Sequence, residues 1–170
     1  MKFENYIKKI NNETVRQKTQ DAVNALPEYF WKVPASSTGK YHPKFSLGEG
    51  GLYRHTKFAL DLALELFTIV EFSQDETDCI ISAIMLHDGL KHGLVESRYT
   101  KKDHADIMAK WLEEFWEEFE GKDIIIGCVK THMGMWSLDR KPKSKLESFV
   151  HTCDYISSSK FIDEYYKGDE

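Results

Sequence analysis

The chain has 170 residues and a mass of 19.8 kDa, enough for one domain whose folding hides about 70% of the unfolded surface, and short for two. With 41% hydrophobic and 13% aromatic residues it is neither disordered nor fibrous. Its 23 basic and 28 acidic residues give a net charge of −5, which argues against a protein that coats long nucleic acid with its whole surface.

Residues 3–26 place Phe3, Tyr6, Ile7, Ile10, Val15, Ala22 and Leu26 at loosely helical spacing, interrupted by Pro27. Residues 31–51 hold Pro34, Pro43 and four of the ten glycines, a long loop of the kind that carries function. The run from 52 to 70 is almost wholly apolar after Lys57. Its polar residues Arg54, Lys57, Asp61, Glu65 and Thr68 form one narrow wet stripe, so this helix is expected to sit centrally.

Ser73 and Glu76 form a capping box for a helix through Ile80, Ile81, Ile84 and Leu86, ending near Gly89. Thr100 and Asp103 open another, with Ile107, Met108, Trp111, Leu112, Phe115 and Phe119 on one face. After Gly121, the segment Ile124–His132 has strand-like isoleucines but no neighbouring strand, and is read as helix. Ser144 and Glu147 cap a last helix through Leu146, Phe149, Val150, Cys153 and Ile156. The sum is an all-α bundle of about six or more helices in one domain spanning 1–170. Phe115, Trp116 and Phe119 exceed what one buried face requires, which leaves room for a homodimer.

The three cysteines Cys79, Cys128 and Cys153 are odd in number and set in apolar runs, so no disulfide framework is expected. No apolar signal core follows the first methionine, and no segment approaches the ~18 apolar residues of a membrane span. The expectation is a soluble, reduced, cytoplasmic protein with no membrane partner.

At 100° per residue, the polar side chains can be assigned to faces. His55 shares its face with Ala59, Leu62 and Leu66, roughly 120° from the wet stripe. His87 lies with Ile80, Ala83 and Ile84, and Asp88 follows it. His104 aligns with Met108 and Trp111, His132 with Ile125, Cys128 and Val129, and Asp154 sits one turn from Val150. A single inward histidine is ordinarily a core residue bonded to a carbonyl. Buried aspartates need a partner or a metal, and six such groups from five helices point to a divalent cation such as Zn, Mn, Fe, Co or Ni.

A histidine in a buried helix, His87–Asp88 ending the next and Asp154 in a late one give the pattern H…HD…D. With EGGLYRHT (49–56), AIMLHDGLKHG (83–93) and VHTCDYIS (150–157), the chain resembles the HD-domain superfamily of metal-dependent phosphohydrolases over about residues 30–160. The loop PASSTGKYHPKFSLGEGG resembles the one before the first histidine in small HD hydrolases, some of them nuclease-associated.

By that resemblance, His55, His87, Asp88 and Asp154 hold a first ion. Asp88 bridges to a second held by His104 (in KKDHADIMAKWL) and His132 (in KTHMGMW). The resemblance also gives Lys91 contact with a phosphate or the attacking water; His151, three residues before Asp154 on the same helix, is placed by its own position to hydrogen-bond a ligand or to be a further one. The resemblance implies hydrolysis of a nucleotide or related phosphate ester by metal-activated water, with two divalent ions among Mn, Fe, Zn, Co, Ni and Mg. Alternatives are a phosphodiesterase on cyclic nucleotides or short RNA or DNA ends, a di-iron oxygenase, and a non-enzyme in which metal merely ties helices together.

Local charge agrees with a small anionic substrate: residues 89–102, with Lys91, Arg98, Lys101 and Lys102, carry +3, and residues 130–145, with Lys141 among them, carry +4. Trp136, Tyr41 and Trp31 offer rings for a base. Ser157, Ser158 and Ser159 read as ordinary helix polar residues, and no acyl-transfer triad is suggested.

Overall fold

The computed structural model describes residues 3–137 and 141–165. Instead of one early helix it has two, α1 (Glu4–Ile7) and α2 (Glu13–Ala25). The break has a local and a tertiary cause. The Asn12 side chain accepts from the backbone N–H groups of Thr14 and Val15 and caps α2. The backbone N–H groups of Asn11 and Asn12 donate to the carboxylate of Asp78 at 3.0 and 2.7 Å. Asp78 is fully buried and also accepts from Gln74 at 2.8 Å, so a costly buried charge is satisfied by bonds that only a non-helical 11–12 can make.

After Pro27 comes a single 3-10 turn, Glu28–Trp31, then the long loop, itself broken by a second such turn, Lys44–Ser46. The loop closes on itself through Gly50 N–H to Lys32 O at 2.8 Å and Ala35 N–H to Ser46 O at 3.0 Å. Helix α3 (Gly51–Leu66) begins where the loop ends and stops four residues short of Val70. A Cβ at Gly51 would stand 2.1 Å from the Ser46 carbonyl oxygen, so this junction admits no side chain. The Arg54 guanidinium reaches back from α3 and donates to the Phe45, Leu47 and Glu49 carbonyls at 2.6, 2.7 and 2.7 Å, satisfying acceptors that the irregular backbone leaves open.

Helix α4 (Gln74–Leu86) carries the Ser73/Glu76 capping box that the spacing predicts. Every residue from Asp78 to Leu86 is buried, and α4 packs on α2 and α3 as well as on two later helices, α6 (Lys122–Thr131) and α7 (Lys145–Ser157). The most enclosed element is therefore α4. The 52–70 helix keeps Arg54, Lys57 and Glu65 in water and packs chiefly on α4, α7 and the loop.

Helix α5 (His104–Phe115) begins without a side-chain cap from Asp103 and ends before Phe119. Trp116 turns inward at its end, 3% exposed, and its indole N–H donates to the Lys18 carbonyl at 3.0 Å. Phe119 packs on it edge-on. The aromatic surplus is thus largely taken up within the chain, leaving Phe115 stacked on Trp111 and 42% exposed.

The isoleucine-rich segment is helical as predicted, forming α6; α7 carries the Ser144/Glu147 capping box, and α8 (Phe161–Tyr165) closes the described chain. Among the described residues there is no strand, and one apolar cluster runs from Phe3 to Cys153. The architecture is all-α. Cys79, Cys128 and Cys153 are buried and free, and no described helix is long and apolar enough to cross a membrane.

Candidate metal centre

Five helices bring one or two polar side chains each to a single buried point. His55 lies in the second turn of α3, His87 caps the C-terminus of α4 with Asp88 next to it, His104 opens α5, His132 caps the C-terminus of α6, and Asp154 lies late in α7. All six residues that the sequence singles out as ligands meet there.

Their donor atoms fall into two overlapping sets. In the first, His55 Nε2 is 3.1 Å from Asp154 Oδ1, 3.3 Å from His87 Nε2 and 3.6 Å from Asp88 Oδ2. His87 Nε2 is 3.5 Å from both Asp88 Oδ2 and Asp154 Oδ1. In the second, Asp88 Oδ1 is 3.0 Å from His104 Nε2 and 3.6 Å from His132 Nε2, and the two rings' Nε2 atoms are 3.2 Å apart. Ligands about 2.0–2.2 Å from one ion stand about 3.0–3.5 Å from each other, the spacing seen here. Three groups of these residues could hold a cation: His55, His87 and Asp88; Asp88, His104 and His132; and, across the two sets, His87, His132 and Asp154.

The tautomers make the same case. His87, His104 and His132 each place Nδ1 at 2.7, 2.7 and 2.6 Å from the carbonyl three residues earlier, those of Ile84, Lys101 and Val129. A carbonyl only accepts, so Nδ1 carries the proton, and in the neutral ring Nε2 is a lone pair. His55 reaches the same state by another route. Ser157 Oγ donates to the Asp154 carbonyl at 2.8 Å, so it accepts from His55 Nδ1–H at 3.3 Å. With the rings neutral, lone pairs thus converge on carboxylate oxygens, and Asp88 Oδ1 is buried without a hydrogen-bond partner among the described residues. Acceptors facing acceptors in a dry interior repel unless a cation lies between them, and an imidazole anchored through its other nitrogen is the usual metal-ligating arrangement. The residues fit a divalent ion.

Burial pulls His55 and His132 below the ordinary histidine value and keeps them neutral. Burial also acts on His87, but the carboxylates of Asp88 and Asp154 outweigh it and carry the ring up to about 10. The positive charge these carboxylates demand is drawn to that point. For Asp88, burial opposes ionisation, yet Lys91 and His87 hold the carboxyl well below its usual range, and His55 and His87 do the same for Asp154.

Lys91, buried on the turn after α4, donates to Asp88 Oδ2 at 2.5 Å. His151 lies outside the donor sets, and its Nδ1–H bonds the His132 carbonyl at 2.7 Å, where it steadies the turn that carries a candidate ligand. That turn needs Gly134, at φ +53°, because a Cβ would stand 2.2 Å from the His151 ring. Among the described residues, Asp154 is the member of the cluster that reaches water: its side chain is 17% exposed, against 2% or less for the other five.

The other substrate candidates lie further out. Trp136 is exposed beside Tyr41, ring centroids 6.5 Å apart. Arg98 lies over the Tyr99 ring and Lys141 is exposed, and among the described residues neither is bonded to the cluster. Asp139 and Arg140, which enter the charge of the 130–145 segment, lie outside the described residues.

Three polar groups at or near the site escape the sequence reading. Ser157 is fully buried and anchors His55. His42, on the long loop, packs edge-on against His55 at 5.1 Å, and burial pushes it down to about 3. His92 is buried and stacked on Tyr29, with neither ring nitrogen partnered among the described residues. The histidine of the loop and the serine three residues after Asp154 are the only sequence signals for the first two, and neither lies in a pattern that periodicity reads.

No family model, curated protein or solved structure matches this chain in comparison.

Proposed function

We propose that the chain is a metal-dependent phosphohydrolase that uses two divalent ions to release phosphate from a nucleotide or related phosphate ester. One observation carries the reading: a single buried carboxylate, Asp88, turns Oδ2 toward His55 and His87 and Oδ1 toward His104 and His132. Two ions on either side of it would supply an acidified water and a clamp on the phosphoryl oxygens of an in-line displacement. His55, His87 and Asp154 with Asp88 would hold one ion, and His104 and His132 with Asp88 would hold the other. Imidazole and carboxylate suit Mn, Fe, Zn, Co or Ni, and do not by themselves select among them.

The remaining side chains have simpler duties. Lys91 holds its ammonium at the Asp88 carboxylate, where a phosphoryl oxygen arriving at the cluster meets a fixed positive charge. The wetted side of Asp154 is the way in for substrate and water. Trp136, with Tyr41 beside it, offers a face to a base, and Arg98 and Lys141 add positive charge to the surrounding surface. No protein nucleophile is called for: burial pushes the thiols of Cys128 and Cys153 up to about 12, and the Ser157 hydroxyl is engaged with His55 and Asp154.

Elemental analysis of the purified protein, paired with a nucleotide and dinucleotide hydrolysis screen in added Mn, Co, Ni, Zn or Mg, tests the reading. About two ions per chain and EDTA-sensitive phosphate release from a mononucleotide are expected. Cleavage confined to dinucleotides or cyclic nucleotides would move the assignment to a phosphodiesterase. Bound iron with a mixed-valence spectrum and no hydrolysis would move it to an oxygenase.

A further inference from the structure

Resting on that two-ion reading, we propose that His42 is an outer-sphere positioning residue for the ion held by His55, His87, Asp88 and Asp154, delivered by the 32–50 loop and acting on Asp154 through Ser158. Asp154 is the exposed member of the cluster, and a carboxylate open to water has the least to hold its orientation. Ser158 Oγ lies 3.4 Å from Asp154 Oδ1, the oxygen that faces His55 and His87, and 3.4 Å from His42 Nε2. A carboxylate only accepts, so the one hydroxyl proton of Ser158 goes to Asp154, and Ser158 accepts from His42 Nε2–H. His42 then keeps its lone pair on Nδ1, an atom buried without a hydrogen-bond partner among the described residues.

The same ring meets His55 edge-on, so His42 touches one candidate ligand directly and a second through a single hydroxyl. Its position is not left to the loop alone. Arg54, the residue before His55 on α3, donates to three carbonyls of that loop, so one helix sets both a ligand and the segment that covers it. Both relay contacts are long for hydrogen bonds. Their work is to orient Asp154 and not to hold the fold, which separates metal affinity from stability. Losing an outer-shell partner of this kind costs about 10- to 100-fold in metal affinity.

The test is a Co²⁺ titration of the metal-stripped full chain, with stoichiometry from elemental analysis, for wild type, His42→Ala, His42→Gln, Ser158→Ala and the His42→Ala/Ser158→Ala pair. The expected result is that His42→Ala and Ser158→Ala each weaken one of two sites by about 10- to 100-fold and leave the other site unchanged, with the metal-free melting temperature also unchanged above the histidine titration range, where a neutral His42 carries no protonation cost. The pair should be no weaker than either single variant, because one relay is cut twice. His42→Gln, whose side-chain N–H can stand where Nε2–H stood, should recover most of the loss. Wild-type affinity at both sites in His42→Ala and Ser158→Ala, or additive losses in the pair, would overturn the inference while leaving the two-ion reading intact. Should His42→Ala fail to fold, Ser158→Ala alone decides by the same affinity criterion. A wild-type chain that takes up no Co²⁺ overturns the two-ion reading itself, and this inference with it.

Discussion

Asp88 Oδ1 lies 3.0 Å from His104 Nε2, and no proton of a neutral His104 stands between them, because the Nδ1–H is given to the Lys101 carbonyl. The other oxygen of the same carboxylate faces His55, His87 and Lys91. One side chain therefore serves both donor sets, and its removal should not be a local event. In Asp88→Asn, one oxygen becomes an amide that donates and cannot ligate. On the proposed two-ion reading, the expected outcome is loss of both ions under conditions where wild type would retain them, read by elemental analysis after gel filtration. Retention of two ions would remove Asp88 from its bridging position.

His104 belongs to the second set alone. If the proposed reading holds, His104→Ala should lower the metal content from about two ions to about one and abolish the proposed phosphate release, with the site around His55 still titratable. An unchanged stoichiometry would argue for a single-ion centre.

Ser157 has a narrower task. Its hydroxyl is the acceptor for His55 Nδ1–H in a ring with no exposed surface. Ser157→Ala leaves that donor unsatisfied, which costs about 1–3 kcal/mol of stability, and frees the ring to turn, which costs about 10- to 100-fold in metal affinity. Urea unfolding and Co²⁺ titration measure the two separately. Wild-type values in both would show that the contact does nothing for His55.

The metal-free chain should also have a characteristic stability profile. Burial keeps His55, His132 and His42 from taking protons that the unfolded chain binds below its histidine value of 6.5. Stability is then complete above 6.5 and falls as pH drops below it, by up to about 1.4 kcal/mol per pH unit for each such group. His42, at about 3, contributes throughout that window. Asp88 and Asp154, depressed below 3.8, add a loss in the same direction in stronger acid. His87 has the opposite sign: raised to about 10, it stabilises the fold below 6.5 and loses that contribution as pH climbs from 6.5 toward 10. Urea unfolding in EDTA should therefore show greatest stability near pH 6.5. A flat profile from pH 7 to 5 would contradict the burial of neutral imidazoles.

Much of this molecule is legible in its sequence because the relevant physics is local. Ser73 with Glu76 and Ser144 with Glu147 announce helix starts that the structure keeps, since a capping box satisfies backbone donors within one turn. The inward direction of His55, His87, His104, His132 and Asp154 follows from helical period against apolar neighbours. Two of the differences share one cause, a bond to residues distant in the chain. Asp78 takes the backbone donors of Asn11 and Asn12 and breaks the first helix; the Lys18 carbonyl takes the Trp116 indole where α5 ends.

Periodicity states that a side chain points inward, and nothing about what it meets. That Asp88 offers one oxygen to each set, that Ser157 orients His55, and that His42 comes from a loop to stand beside them were decided only when α3, α6 and α7 packed on α4 and α5 packed on α6. Donor atoms about 3 Å apart from five helices are a product of packing, and one-dimensional spacing carries no distance between helices.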